Sequence, residues 1–328
     1  MSKSIAKIGV LTSGGDSPGM NAAIRSVVRT CAFHNIECMG IYRGYQGMIE
    51  GDFKPMGPRS VNNIINKGGT VLKSARSIEF RTPEGRKLAH EKLIKAGIDA
   101  FIVIGGDGSF TGAEIFNKEY NFPVMGIPGT IDNDIFGTSH TLGYDTALNT
   151  VVEVIDKIRD TAISHNRLFF VEVMGRDAGH IALNAGIGAG AEEILIPEED
   201  LGLERLLESL QKSKASGKSS SIVVVSEGDK IGKSVFELKD YVEEHLPEYE
   251  VRVSVLGHMQ RGGSPSCFDR VLASRLGVKA VESLLEGKST YMVGILEDKI
   301  ALTPLDQAIK GSLEIDLELV RVSEIMST

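Results

Sequence analysis

Asp107 stands in a setting that suits the binding of a metal and a phosphate group. It lies between glycines in Gly105-Gly106-Asp107-Gly108-Ser109, directly after the apolar run at 100–104. A carboxylate placed there can reach a metal ion while the neighbouring amides hold phosphate oxygens. Asp107 is therefore a candidate ligand for Mg²⁺. An Asx turn or a helix N-cap would account for the same residues without any ligand.

A second acidic segment, Pro128-Gly129-Thr130-Ile131-Asp132-Asn133-Asp134, follows another short apolar run. Asp132 and Asp134 are two residues apart, so in an extended segment their side chains share a face. Two neighbouring carboxylates suit the metal-assisted or base-assisted removal of a proton, and phosphoryl transfer needs one such residue to orient and deprotonate the attacking hydroxyl. Asp132 is the candidate base. A cluster that only caps a helix or forms a turn is the alternative.

The first glycine turn, Thr12-Ser13-Gly14-Gly15-Asp16, has the spacing of neither a Walker A loop nor a GxGxxG fingerprint. Two glycines before a helix still suit phosphate, because the backbone can approach closely and free N–H groups at the helix start face the anion. A plain tight turn is the alternative.

Positive charge for binding an anion is expected from five arginines that lie beside strand ends or glycine turns. The chain carries a net charge of −8, so a phosphorylated ligand requires cations concentrated locally. Guanidinium groups hold oxyanions in bidentate fashion, although each of these side chains alone would suit a surface ion pair. The candidates are Arg76, Arg167, Arg176, Arg252 and Arg261.

The elements that must position these residues alternate between apolar strands and amphipathic helices. Such alternation predicts an α/β fold with largely parallel sheets, in which ligands bind beyond the carboxyl ends of the strands. We expect two Rossmann-like three-layer lobes with the active-site cleft between them. The predicted lobes are 1–142 with about 264–311 and 143–263 with about 312–328.

Composition narrows the partners to small molecules. No run of eighteen apolar residues occurs, which argues against a membrane span, and the sequence pI of about 5.5 argues against a nucleic-acid surface. The three cysteines, Cys31, Cys38 and Cys267, have no metal spacing. An odd number of cysteines without a signal peptide predicts reduced, buried thiols and a cytoplasmic protein.

Six separated motifs resemble those of bacterial phosphofructokinases, in the same order and at about the same distances. They are TSGGDSPGMNAAIR, KGGTVLKSAR, GGDGS, PGTIDND, VEVMGR and VLGHMQRGGSP, and together they cover nearly the whole chain. The resemblance implies the ATP-dependent phosphorylation of fructose 6-phosphate to fructose 1,6-bisphosphate, the committed step of glycolysis. It also implies a homo-oligomer, usually a homotetramer.

The resemblance assigns a role to each motif residue. ATP would contact Gly15, Arg76, Gly106, Asp107, Gly108 and Ser109, with Asp107 holding Mg²⁺. Asp132 resembles the base that takes the proton of the 1-hydroxyl, supported by Thr130 and Asp134, and Arg176 would stabilise the charged transition state. The sugar phosphate would be bound by Met174, Gly175, Glu227, His258 and Arg261, together with Arg167 and Arg252 from a neighbouring subunit.

Two glycines favour ATP over pyrophosphate as donor. Pyrophosphate-using relatives typically carry Asp and Lys where this chain has Gly108 and Gly129. Larger side chains at these turns would fill the space of the nucleotide, which glycine leaves open. The alternatives are a pyrophosphate-dependent enzyme, a kinase of NAD or lipid alcohols with a GGDG loop, and a catalytically silent subunit that binds metabolites.

An effector site for ADP or phosphoenolpyruvate is implied by the basic residues Arg25, Arg29, Arg159 and Lys218. Many members of the family have an arginine at the position of Pro58, which here is followed by Arg59. The stretch around Lys218, SGKSSS, is also richer in serine than in lysine. These departures predict a weakened or altered effector site.

Overall fold

The computed structural model describes residues 5–165, 167–199, 202–216, 221–228 and 234–326. Its strands are β1 Lys7–Thr12, β2 Glu37–Ile41, β3 Phe53–Met56, β4 Ala100–Gly105, β5 Val124–Pro128, β6 Arg167–Val173, β7 Glu193–Leu195, β8 Ser221–Ser226, β9 Glu250–Val255, β10 Tyr291–Leu296 and β11 Lys299–Pro304. The helices are α1 Met20–Phe33, α2 Gly44–Glu50, α3 Pro83–Lys95, α4 Asp107–Tyr120, α5 Tyr144–His165, α6 His180–Gly188, α7 Gly202–Ala215, α8 Val235–His245, α9 Cys267–Leu285, α10 Leu305–Lys310 and α11 Leu317–Met326. Short 3₁₀ turns occupy Glu79–Arg81 and Gly257–Arg261.

The chain divides into two compact units. The first comprises Met1–Ile131, Ile135–Thr146 and Arg261–Leu313; the second comprises Asp132–Asp134, Ala147–Gln260 and Glu314–Thr328. These bounds place Arg261 in the first unit and Asp132 to Asp134 in the second.

A seven-stranded sheet in the order β11-β10-β5-β4-β1-β2-β3 forms the centre of the first unit. The side chains of β4 alternate between its two faces, as the pleat requires. Ala100, Ile102 and Ile104 join one apolar cluster with residues of α1 and α9. Phe101 and Val103 join a second cluster with residues of α2, α3, α4 and α10. Helices therefore cover both faces, in the three-layer arrangement expected from the alternating sequence.

The second unit contains a four-stranded parallel sheet in the order β7-β8-β6-β9. Leu168 and Phe170 of β6 pack with Val223 and Val225 of β8. The same cluster includes Leu206 and Leu210 of α7, and Val235, Leu238 and Val242 of α8. The mixed α/β class with largely parallel sheets is thus confirmed, and β3 and β11 are antiparallel strands of the first sheet that the sequence did not predict.

Some local predictions were confirmed and others were wrong. Helix α1 begins at Met20, the residue at which the helical pattern of the sequence starts, so this boundary was predicted correctly. The segment from Asp132 to Asp134 is not extended, because Asn133 has a φ of 54°. Cys31 and Cys38 are buried as expected, but Cys267 is exposed at the start of α9. Helices α2, α4, α8, α10 and α11 were not predicted from the sequence.

Candidate active site

Three glycine turns in the first unit follow neighbouring strands. Strand β1 pairs with β4 and β4 pairs with β5, all in parallel, so their carboxyl ends lie at the same edge of the sheet. The backbone links the turns directly: the Ser13 amide donates to the Ile104 carbonyl at 3.0 Å, and the Gly129 amide donates to the Gly105 carbonyl at 3.0 Å. Sheet register thus brings the TSGGD, GGDGS and PGT turns together, as parallel topology predicts.

Asp107 is the first residue of α4, and Gly106 is the N-cap of that helix. Its half-buried carboxylate therefore lies where the helix presents free N–H groups, a position that favours anions and, with a metal, nucleotide phosphates. A helix does begin at this turn, but its N-cap is Gly106 and not Asp107, and a helix start does not conflict with ligand binding at the same residues.

Tyr45 is a residue of this region that the sequence motifs did not indicate. It lies on α2, is buried, and its hydroxyl donates to the Ser109 carbonyl at 2.5 Å. Its ring stacks on Phe80 at 4.1 Å between centroids, and burial raises the pKa of the Tyr45 hydroxyl above its usual range. Tyr45 therefore anchors the first turn of α4 to the core.

Gly15 lies against the guanidinium group of Arg261. A Cβ atom at Gly15 would be 2.8 Å from Arg261 Nη1, and that nitrogen donates to the Asp16 carbonyl at 3.3 Å. The predicted nucleotide turn and the predicted phosphate-binding arginine are thus adjacent within the first unit. Arg76, assigned to ATP, is exposed, whereas Thr130 is buried and its carbonyl accepts a hydrogen bond from Thr141 Oγ1 at 2.6 Å.

Gly108 and Gly129, the two glycines that favour ATP over pyrophosphate as donor, have different surroundings in the structure. An added Cβ at Gly108 meets no atom within 4 Å, so a side chain there would occupy open space. At Gly129 an added Cβ would lie 3.1 Å from Ile104 Cγ2 and 3.2 Å from Met20 Cε. Core packing therefore also favours glycine at position 129, and the expectation that this glycine leaves nucleotide space open stays a prediction.

The two aspartates of PGTIDND lie together in the second unit. Asp132 is only 5% exposed. Burial raises the pKa of the Asp134 carboxyl, the charge of Asp132 raises it further, and Arg176 and His180 partly oppose the rise. The turn at Asn133, not an extended segment, keeps the two carboxylates close. His180, the first residue of α6, is a neighbour that no motif indicated.

A network of hydrogen bonds holds the turn after β6. Arg176 has a φ of 58°, and its amide donates to Glu227 Oε1 at 2.8 Å. Glu227 stands after β8, the neighbour of β6 in the sheet. A Cβ at Gly228 would lie 2.0 Å from the Arg176 carbonyl oxygen, so only glycine fits beside this turn. Glu227 thus sets the backbone that presents Arg176.

Gln260 links the same turn to the segment after β9. Its side chain is 0% exposed; Oε1 accepts from the Met174 amide at 3.2 Å, and Nε2 donates to the Gly257 carbonyl at 3.0 Å. Met174 and Gly175, predicted to bind the sugar phosphate, are therefore tied to the turn that carries the exposed His258. Sequence reasoning missed Gln260, although its place inside HMQRGG was the available signal.

Arg167 and Arg252 lie at the opposite edge of this sheet. Arg167 opens β6 and is the register partner of Glu250, the first residue of β9. Arg167 Nε donates to Glu250 Oε2 at 3.1 Å, and Arg252 Nη2 donates to Glu250 Oε1. At about 3.3 Å per residue, strand β6 separates Arg167 from Met174 by roughly 23 Å. Within one chain these two arginines do not meet Met174, Glu227 and His258.

The predicted effector residues fall in both units. Arg25 and Arg29 are one turn apart on α1, and burial followed by the charge of Arg29 lowers the pKa of Arg25. Arg159 Nη2 donates to the Ala189 and Gly190 carbonyls at 2.7 Å, and Arg159 Nη1 is 3.7 Å from Glu192. Pro58 and Arg59 are exposed, and Lys218 lies outside the described residues.

Residues 7–284 match the family model described as "Phosphofructokinase". The chain belongs to the phosphofructokinase family. It is 54% identical over 321 residues to "ATP-dependent 6-phosphofructokinase 1" of Thermus thermophilus, covering 98% of this chain and 99% of that protein. It is 51% identical over 320 residues to "ATP-dependent 6-phosphofructokinase 2" of Bacteroides thetaiotaomicron, covering 98% of each.

A solved structure of a phosphofructokinase from Saccharomyces cerevisiae has the same fold. It superposes with a TM-score of 0.89 at 38% identity, over 98% of this chain and 46% of the yeast chain. This phosphofructokinase chain therefore spans about half the length of that yeast chain. In the part of the chain that the structure describes, no helix is both long and apolar enough to cross a membrane.

Proposed function

We propose that this phosphofructokinase transfers the γ-phosphoryl group of ATP to the 1-hydroxyl of fructose 6-phosphate and so forms fructose 1,6-bisphosphate. The observation that carries the proposal is identity of about half over nearly the whole chain to ATP-dependent 6-phosphofructokinases. The buried Asp132 and the half-buried Asp134, beside Arg176, supply the chemistry that such a transfer needs.

In the proposed mechanism Asp132 is the general base. Its carboxylate accepts the proton of the 1-hydroxyl while the oxygen of that hydroxyl attacks the γ-phosphorus and the bond to the ADP oxygen breaks. Arg176 faces the same aspartates and stabilises the negative charge that develops on the transferred group. Asp134, with a pKa raised by burial and by Asp132, and Thr130 support the position of the base.

The nucleotide is assigned to the glycine turns of the first unit, with Gly15, Arg76 and the stretch 106–109 as its contacts. The residues fit a bound Mg²⁺: the half-buried Asp107 carboxylate starts a helix beside open space at Gly108. Among the described residues there is no group of three or more His, Cys, Asp or Glu side chains that could hold a metal ion. Mg²⁺ is often bound by one or two carboxylates together with substrate phosphates, and Asp107 would be such a carboxylate. When bound, Mg²⁺ would neutralise phosphate charge.

The sugar phosphate is assigned to Met174, Gly175, Glu227, His258 and Arg261, with Arg167 and Arg252 from a second copy of the chain. The separation of these two arginines from Met174 by the length of β6 supports a contribution from another subunit. We therefore propose a homo-oligomer, with a tetramer as the expected state.

ATP, not pyrophosphate, is the proposed donor, and the open space at Gly108 supports this choice. A catalytically silent subunit is the less favoured reading, because Asp107, Asp132 and Arg176 are all present. Arg25, Arg29 and Arg159, with Lys218, remain the proposed effector residues for ADP or phosphoenolpyruvate, and a cytoplasmic location remains a prediction of the sequence.

Purified protein with Mg²⁺ and fructose 6-phosphate tests the function directly. Formation of fructose 1,6-bisphosphate is followed with ATP in one reaction and with pyrophosphate in another. Activity with ATP alone is the expected result. Activity with pyrophosphate alone would overturn the donor assignment while keeping the base, and no activity with either donor would favour a binding subunit.

A further inference from the structure

The paired arginines at the amino-terminal edge of the four-stranded sheet share one carboxylate. Glu250 Oε2 accepts from Arg167 Nε at 3.1 Å, and Oε1 of the same carboxylate accepts from Arg252 Nη2. The hydrogen bond from Arg167 is the largest effect on Glu250, and together with the charges of both arginines it lowers the pKa of Glu250, so this carboxylate is ionised at neutral pH. Glu250 thus occupies, from within the chain, donors that an oxyanion would use.

Strand geometry places these three side chains together. Glu250 lies directly opposite Arg167 in the parallel register of β9 and β6. Arg252 is two residues further along β9 and therefore projects from the same face as Glu250. In the single chain the side chains of Glu250 and Arg252 are 46% and 47% exposed, and that of Arg167 is 26% exposed, so the fold of the chain itself leaves all three accessible.

We propose that Glu250 is an internal competitor of the substrate phosphate for Arg167 and Arg252, and that its carboxylate sets the affinity for the sugar phosphate. The inference rests on the proposed function, in which both arginines bind that phosphate. The free cluster carries two guanidinium charges and one carboxylate charge. A phosphate group with about two negative charges must displace or share this carboxylate, and it is repelled by it at close range.

The charges of Glu250 and the two arginines predict that loss of the carboxylate raises the affinity for a phosphate ligand. Replacing Glu250 by glutamine keeps the size of the side chain, removes its negative charge and frees charge-assisted donors for the phosphate. Exposed ion pairs each contribute little, so the expected gain in affinity for a phosphate ligand is about two- to tenfold. The change concerns binding of the substrate before reaction, and KM therefore falls more than kcat changes.

Glu248 offers a matched control. It is an exposed glutamate two residues earlier, and its ion pair is with Lys214 at 3.4 Å, not with an arginine of the cluster. Glu248→Gln removes the same formal charge from the same region. We expect it to leave KM for fructose 6-phosphate within about a factor of two, because its charge lies outside the proposed site.

The test measures KM and kcat for fructose 6-phosphate in the wild type and in Glu250→Gln, Glu248→Gln and Arg252→Gln, with thermal melting as a check on folding. A lower KM in Glu250→Gln alone is the expected result. An unchanged KM would mean that the pairs are ordinary surface contacts. A raised KM would mean that Glu250 organises the arginines and does not compete.

Arg252→Gln separates failure of this inference from failure of the site assignment. If that variant keeps the wild-type KM, the arginines do not bind the sugar phosphate and the assignment falls first. Should the wild type be inactive, binding of inorganic phosphate is measured by calorimetry in the same four proteins. Tighter binding in Glu250→Gln than in Glu248→Gln, lost in Arg252→Gln, would support the inference; equal binding would overturn it.

Discussion

The second unit contains two clusters of charged side chains at opposite edges of one sheet, and they differ in burial. Asp132 is buried and Asp134 half-buried, with Arg176 and His180 nearby. Glu250, Arg167 and Arg252 meet at the exposed amino-terminal edge. Both clusters combine carboxylates with guanidinium groups, and they differ in how far these groups are exposed to solvent.

Burial decides which contribution dominates in each cluster. For Asp134, loss of hydration is the largest effect and raises the pKa, and nearby Arg176 does not fully offset it. For Glu250, hydrogen bonds from arginine are the largest effect and lower the pKa. The same residue types therefore provide a carboxylate ready to accept a proton at one edge and a permanently charged ion pair at the other.

The largest expected effect comes from removing the buried base. Asp132→Asn keeps the shape of the side chain but cannot accept the proton, so we expect kcat to fall by about 10²- to 10⁴-fold with KM for fructose 6-phosphate much less affected. Steady-state kinetics with ATP checks this. Asp156→Asn, an exposed aspartate of α5, is the control. Wild-type turnover in Asp132→Asn would remove Asp132 from the mechanism.

Asp269 adds a third case to the comparison, because it is a buried carboxylate whose hydrogen-bond donors are uncharged. In the first unit Asp269 is 0% exposed and accepts hydrogen bonds from the Gly143 amide at 2.9 Å, the Thr146 amide at 2.9 Å and Thr146 Oγ1 at 2.5 Å. Asp269→Ala leaves these donors without their acceptor. We expect the free energy of unfolding to fall by about 2–4 kcal/mol, measured by urea denaturation.

The pH dependence of Asp269 has a defined sign. Burial is the largest effect and raises its folded pKa above the unfolded value. The folded state therefore holds this proton more tightly, and the contribution of Asp269 to stability is greatest below the unfolded pKa and declines as pH rises through the folded pKa. Comparing wild type with Asp269→Asn over that window measures it, with exposed Asp298→Asn as control. An identical pH slope in wild type and Asp269→Asn would contradict the assignment.

Loss of Arg252 at the exposed edge is expected to change the kinetics less than loss of the base Asp132. Arg252→Gln removes charge-assisted hydrogen bonds to the substrate phosphate, so we expect KM for fructose 6-phosphate to rise by about 10- to 100-fold with a smaller change in kcat. Initial rates over a range of sugar phosphate concentrations measure both constants. Arg205→Gln, whose side chain pairs with Glu324 in the same unit, is the matched control. Equal KM values in the two variants would place the phosphate elsewhere.

The smallest expected effect is the difference between the carboxyl pKa values of Asp134 and Glu250. Carboxyl carbon NMR titration should place the pKa of Asp134 above the usual value of about 3.9 and that of Glu250 below about 4.3. Resonances are assigned with Asp134→Asn and Glu250→Gln. Shifts in the same direction at both sites would show that burial does not distinguish the two clusters.

The sequence alone determined the α/β class, the glycine turns and most of the strands, because hydrophobic periodicity and glycine placement are local properties. It also determined the residue types of the candidate site, since phosphoryl transfer needs carboxylates, backbone amides and arginines in recognisable motifs. One error concerns backbone shape, because the segment at Asn133 turns where an extended chain was considered.

Only the tertiary structure decided which partner each side chain meets. Tyr45 and Glu250 belong to none of the sequence motifs, yet each bonds to a predicted site residue because elements distant in sequence lie side by side. The close packing around Gly129 likewise comes from Ile104 and Met20, which lie against it from other elements. Such contacts depend on burial and register in three dimensions, which no local pattern of residues encodes.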